Sequence, residues 1–231
     1  MSTLSTSPDE AVGERATGRL FGLSDAVFAI AMTLLALNLS VPSLGDHPSE
    51  GALRHALAEQ GPHYLAFLLS FYVTSVYWRR HHAEMRSVRV SHPALVRCTM
   101  ILLLAVSALP FVANLLGTYG GQAGIVLAVY AGVNVVAVGA LLLIRYVVRH
   151  HRLSKDPGPR PESLELWFDF AALLLAVPSG FLFPGHGVIA LIALLLVSGR
   201  AGWFMTRLRR RRRDSARSPS SGAGPHGRSG G

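Results

Sequence analysis

Long apolar runs separated by arginine-bearing connections constrain this chain more than any other feature. About 20 apolar residues cross the ~30 Å hydrocarbon core of a bilayer as a helix. Six such runs can be read: roughly Leu20–Leu39, Pro62–Trp78, Cys98–Leu116, Ile125–Ile144, Leu164–Phe183 and Val188–Leu208. The 231 residues are 50% hydrophobic, enough for a soluble core, but the apolar residues are gathered into runs rather than scattered. The pattern predicts an all-α, polytopic membrane protein with six transmembrane helices embedded in a lipid bilayer.

The net charge of +9 is a topology signal rather than a mark of nucleic-acid binding. Arg15 and Arg19 precede the first run. Arg79, Arg80, Arg86, Arg89 and Arg97 follow the second, and Arg145, Arg149, Arg152, Lys155 and Arg160 follow the fourth. The tail opens with Arg209–Arg213, whereas Arg54 alone marks the three alternate loops. Basic loops stay cytoplasmic, so both termini are expected in the cytoplasm of a cell whose plasma membrane holds the chain. Residues 1–14 read as a disordered tail, 15–208 as the transmembrane domain and 209–231 as a basic, disordered C-terminal tail.

A signal peptide is the alternative reading of the first run, but Asp25 inside it and the lack of a small-x-small cleavage site oppose that. Cys98 is the single cysteine and forms no intramolecular disulfide. No internal repeat of the transporter kind is evident. No G-x-S-x-G, H-E-x-x-H or P-loop is present, so neither enzyme chemistry nor a cofactor is expected. Thr118-Tyr119-Gly120-Gly121 holds letters of a potassium filter in the wrong order and reads as a turn. Pro110 is expected to kink the third span.

The first run, from Arg19 through Ser24 and Asp25 to Leu37, carries the most chemistry. A carboxylate at the edge of a span is costly without a partner. At 100° per residue, Ala26, Ile30, Thr33 and Leu37 share one stripe, with Leu34 beside it, and Asp25 lies about 120° or more away. Partners for Ser24 and Asp25 are sought in Arg19 and in Trp78, His81 and His82 at the end of the second span. Adjacent histidines on a helix point about 100° apart, so no metal site is assigned to His81 and His82. Their other reading is a pair wetted at the membrane interface.

Several motifs, in order and at matching spacing, resemble the TMEM175-like potassium channels in their bacterial single-repeat form. Arg19-Leu20-Phe21-Gly22-Leu23-Ser24-Asp25 is similar to that family's Arg-x-x-x-Phe-Ser-Asp, with Leu23 in place of the motif phenylalanine. Ala26 to Leu35, Ser70-Phe71 leading to Trp78-x-x-His81-His82, and Leu109-Pro110-Phe111 with Leu115-Leu116-Gly117-x-Tyr119 also look like the family. The resemblance covers residues 15 to about 150, and the last two spans only by hydropathy.

This resemblance implies a homotetramer in which the first span of each subunit lines a central pore that passes potassium over sodium. It implies a hydrophobic constriction at Ile30, a hydroxyl layer at Thr33 and a further apolar ring at Leu37, with potassium ions only in transit. Arg19, Ser24, Asp25, Trp78, His81 and His82 would form a structural network. The replacement at Leu23 removes an aromatic packing group from that motif. The rival reading is a proton-coupled transporter using Asp25, His81 and His82, with Asp169 added to the path. A third is a lipid-binding membrane anchor whose Arg209–Arg213 cluster meets anionic headgroups.

Overall fold

In the computed structural model, described here for residues 8–40, 43–45, 47–88, 92–119 and 124–153, the order of elements is α1 (Pro8–Ala36), α2 (Glu50–Glu59), α3 (Gly61–Met85), α4 (Pro93–Tyr119) and α5 (Gly124–His150). All of the regular structure there is helical. α1, from Arg15 to Ala36, α4 and α5 are long and apolar enough to cross a membrane. α3 is 25 residues long, but Ser70, Thr74, Ser75 and Arg79 to His82 dilute its apolar character, and it is not among them. The fifth and sixth expected spans, Asp169 and the Arg209–Arg213 tail lie outside the described residues.

Helix ends follow the local chemistry. Ser49 caps α2 by accepting from Ala52 N–H at 3.2 Å, and Glu50 sits in its first turn, where the helix dipole favours an anion. Pro62 is the second residue of α3 and Pro93 the first of α4, first-turn positions where the missing N–H costs nothing. His92 Nδ1 accepts from Ala94 N–H at 3.2 Å and closes the start of α4. α5 ends on Arg149 and His150, cations at the negative end of the helix.

The helices run past several expected boundaries. α1 reaches back to Pro8, so residues 8–14 are helical rather than tail. α2 stands within what reads as a polar loop. α3 continues through Arg79-Arg80-His81-His82 to Met85. Thr118 and Tyr119 are the last residues of α4, not a turn. α5 carries Arg145 and Arg149 inside the helix instead of in a linker.

α4 and α5 form the most extensive interface, and α1 packs on α4 and α3. Leu95, Leu102, Leu109 and Leu116 recur every seven residues along α4 and are all buried, making one continuous seam. Leu127, Tyr130, Ala137, Leu141 and Ile144 supply the buried face of α5. Small residues such as Ala131, Ala137 and Ala140 let the helices approach closely, the means by which helices associate in lipid. Two buried hydroxyls bond back to their own helix: Ser24 Oγ donates to the Leu20 carbonyl at 2.8 Å and Thr74 Oγ1 to the Ser70 carbonyl at 2.6 Å.

Candidate functional site

α1 presents two chemically different faces. Phe28 and Leu35 are 0% exposed and Ala31 is buried with them, against α3 and α4. On the other face Ile30 is 58% and Leu37 76% exposed, with Ala26, Thr33 and Leu34 also open. The positions 26, 30, 33 and 37 span about three turns of a 3.6-residue helix and return to nearly the same angle, so these side chains lie in one row. Thr33 Oγ1 donates to the Ile30 carbonyl at 2.8 Å, which uses its proton and leaves the oxygen able to accept. Leu23, at the motif position of the missing phenylalanine, is 47% exposed and belongs to the open side rather than to the subunit's packing.

The inward face meets α3 through a cluster of mixed character. Trp78 Nε1 donates to Asp25 Oδ1 at 2.9 Å, and His82 Nδ1 stands 3.7 Å from the same oxygen. The Phe21 ring packs on His82 at 4.7 Å, Trp78 on His82 at 5.0 Å and Phe28 on His81 at 5.9 Å between centroids. Further along, Ser75 Oγ approaches Met32 Sδ at 3.7 Å. An indole donor and a nearby imidazole are what a carboxylate at a membrane edge needs.

The sequence-selected residues therefore divide. Asp25, Trp78 and His82 are brought together. His81 is fully buried rather than wetted at an interface, and neither ring nitrogen has a hydrogen-bond partner among the described residues. Ser24 is buried and satisfied within α1. Arg19 is exposed and stands outside the Asp25–Trp78 contact. Ile30, Thr33 and Leu37 lie on the opposite, open face.

A second polar assembly was not apparent from sequence. Ser70, Thr74, Tyr77, His81 and Glu84 form a buried stripe along α3. Ser70 Oγ and Tyr130 OH are 3.1 Å apart, and Tyr77 OH donates to Asn134 Oδ1 at 2.8 Å. Asn134 Nδ2 in turn donates to the Tyr130 carbonyl at 2.7 Å. Toward the other end, Arg145 Nη1 lies 3.6 Å from Glu84 Oε1 with both side chains largely buried. The available signal was the spacing of Leu141, Ile144 and Val148, which continues the helix past Arg145 and turns that residue inward.

At the opposite end of α1, Asn38 Nδ2 donates to the Pro110 carbonyl of α4 at 2.9 Å. Thr118 Oγ1 donates to the Asn114 carbonyl at 2.9 Å and lies 3.3 Å from His63 Nε2. Its single proton is then committed, so His63 is the donor and carries its proton on Nε2.

The described helices, three of them long and apolar enough to cross a membrane, define a helical, multi-pass membrane protein. Residues 19–110 match the family model described as "Endosomal/lysosomal potassium channel TMEM175". The fold is similar to the crystal structure of a lysosomal potassium-selective channel TMEM175 homolog from Chamaesiphon minutus, with a TM-score of 0.66 and 26% identity, covering 81% of this chain and 98% of that one. A potassium channel of Streptomyces collinus is 40% identical over 45% of this chain and 48% of its own length. A potassium channel of Chamaesiphon minutus is 39% identical over 54% of this chain and 62% of its own. The chain thus aligns with about half to three-fifths of the length of these curated relatives. Over these residues the chain is similar to bacterial TMEM175-like proteins, and the relatives it matches are ion channels, not enzymes.

Proposed function

We propose that this chain is the subunit of a homotetrameric cation channel that passes potassium with modest preference over sodium, its pore lined by α1. One observation carries the reading: a continuous face of Ala26, Ile30, Thr33, Leu34 and Leu37 that the other described helices leave exposed, backed by a face that is buried. One such row cannot enclose a path, but four copies about an axis can, and closed rings are the common way to complete a site of this kind. The potassium-channel relatives support the choice of ion.

In this reading a ring of four Ile30 side chains forms a dry constriction, which gates by dewetting or by stripping water from the ion. Potassium holds its water less tightly than sodium and crosses such a barrier more readily. The lone pairs of Thr33 replace part of the lost hydration, and Leu37 forms a second apolar ring. Asp25, Trp78 and His82 serve as a clamp that holds α1 against α3, with Ser24, His81 and Arg19 in the surrounding motif. The engagement of Asp25 by Trp78 favours this role over a proton-coupled transporter in which Asp25 shuttles protons. The domain plan is a transmembrane channel domain over 15–208 with a basic tail over 209–231, both termini in the cytoplasm and the tetramer in the plasma membrane.

The test is potassium flux from proteoliposomes. Wild type is expected to conduct, and Ile30→Asn and Leu37→Asn, which wet their rings, are expected to raise flux and lower the preference for potassium over sodium. Thr33→Val keeps the shape without the oxygen and is expected to lower flux several-fold. Absence of flux in wild type would refute the channel reading. Unchanged conduction in both asparagine variants would refute the assignment of α1 to the pore.

A further inference from the structure

We propose that Asn38 is a positioning residue that fixes the outer end of α1, and with it the Leu37 ring, to the proline step of α4. The inference rests on the assignment of α1 to the ion path.

Regular helix ends at Ala36. Beyond it Leu37, Asn38 and Leu39 bond to the carbonyls of Leu34, Leu35 and Ala36, three residues back, at 3.1, 3.2 and 3.1 Å. The chain has tightened into a 3₁₀ turn, in which neighbouring side chains point about 120° apart. That single turn sends Leu37 outward, 76% exposed, and Asn38 inward to α4, where it is half-buried. Whatever holds Asn38 holds Leu37.

The holding group is the Pro110 carbonyl, 2.9 Å from Asn38 Nδ2 across 72 residues of chain. The donor that proline lacks would have served the Val106 carbonyl, not its own, and the Pro110 carbonyl keeps its place in the helical ladder of α4. A carbonyl oxygen has two lone pairs, and the side-chain amide arriving from α1 takes the second. The acceptor is a carbonyl, so only the nitrogen of Asn38 can face it and the orientation of the amide is fixed.

α4 is itself anchored at this end. His63 of α3 donates to Thr118, and a Cβ on Gly117 would stand 2.9 Å from His63 Cδ2, so the two helices are in close contact there. The order of attachment is α3 to α4 through His63, then α4 to α1 through Asn38.

Asn38→Asp is the discriminating variant because it preserves size. An ionised carboxylate cannot donate to the Pro110 carbonyl, whereas the protonated acid regains one donor. A carboxylate facing a carbonyl in a half-buried position also has its pKa raised, which brings protonation within reach of mild acid.

In proteoliposomes carrying the full-length protein, Asn38→Asp is expected to lower potassium flux about 3- to 10-fold at pH 7.5, the scale of one lost hydrogen bond. At pH 4.5 it returns to within about 2-fold of wild type measured at the same pH. Asn38→Ala, which can never donate, stays low at both. Hydrogen exchange of the residue 34–39 amides supplies a readout independent of conduction: faster than wild type in Asn38→Asp at pH 7.5 and matched to it at pH 4.5. Recovery within one sample excludes misfolding as the cause. Wild-type exchange in Asn38→Asp at pH 7.5, or acceleration that acid does not reverse, overturns the role of Asn38 even if wild type conducts. A silent wild type with acid-reversible exchange refutes the channel reading instead and leaves the tie between Asn38 and Pro110 standing.

Discussion

The indole Nε1 of Trp78 donates to Asp25 Oδ1 at 2.9 Å, joining α3 to the side of α1 that faces away from Ile30. This one bond explains how a carboxylate is tolerated beside an apolar run. It also fixes which way α1 is turned, because a helix held by Asp25 must present Ala26, Ile30 and Thr33 elsewhere.

Trp78→Phe keeps most of the ring and removes the donor. The expected loss is about 1–2 kcal/mol, the range for a hydrogen bond to a charged group that is partly open to solvent. Asp25→Asn keeps an acceptor oxygen in the same place and should lose less. Thermal unfolding of the detergent-solubilised protein ranks the two, and a larger loss in Asp25→Asn would contradict the assignment of the bond.

The pair of Glu84 and Arg145 makes a stronger prediction because both side chains are largely buried. Arg145→Met takes one partner from the buried Glu84 carboxylate and is expected to cost about 1–3 kcal/mol. Glu84→Gln placed on top of Arg145→Met removes that carboxylate's charge and should recover part of the loss. A double-mutant cycle on unfolding midpoints measures the coupling, and strictly additive losses would mean the two groups act independently.

Gly117 is the residue whose missing side chain matters most for helix contact. A Cβ there would lie 2.9 Å from His63 Cδ2 and 3.1 Å from His63 Cα, and the backbone atom cannot swing aside. Gly117→Ala is therefore expected to destabilise by about 1–3 kcal/mol, the usual cost of overpacking. Adding His63→Ala should restore only part of it, which unfolding of the single and double variants would reveal.

At the end of α5 the His151 ring stacks on His92 with centroids 4.1 Å apart, and His150 meets His151 edge-on at 5.1 Å. Desolvation first, then the neighbouring His92 and His150, hold the His151 pKa below its usual 6.5. The folded chain thus binds fewer protons here than the unfolded chain, so stability from this contact rises with pH. It is fully present above pH 6.5 and lost as pH falls below it. Hydrogen exchange over residues 148–153 should speed up on acidification relative to the centre of α5, and His92→Gln should flatten that dependence.

The division of α1 was legible because a long, uninterrupted helix obeys one angular rule, and 100° per residue separates Asp25 from the row of Ile30 and Leu37. Arg145 was not. An arginine after an apolar run reads as the start of a polar connection, and its partner Glu84 lies past the apparent end of the second span. α3 and α5 both outrun their apolar segments, and that surplus length is where the ion pair forms. α2 was hidden by Pro42, Gly45, Asp46 and Pro48, although Ser49 followed by Glu50 is a helix-start signal. Asn38 carried no sequence sign, since its acceptor is a backbone carbonyl 72 residues away.

The open face of α1 has an evolutionary consequence. Ile30 and Leu37, 58% and 76% exposed, contribute little to the packing that folds a single subunit. A mutation there is hardly screened at all by whether the described helices pack. Phe28 and Leu35, one or two residues away and fully buried, are held to the opposite standard. The same helix thus carries one face held by packing and another released from it, and in the proposed channel the released face is where permeation can change without a prior loss of stability.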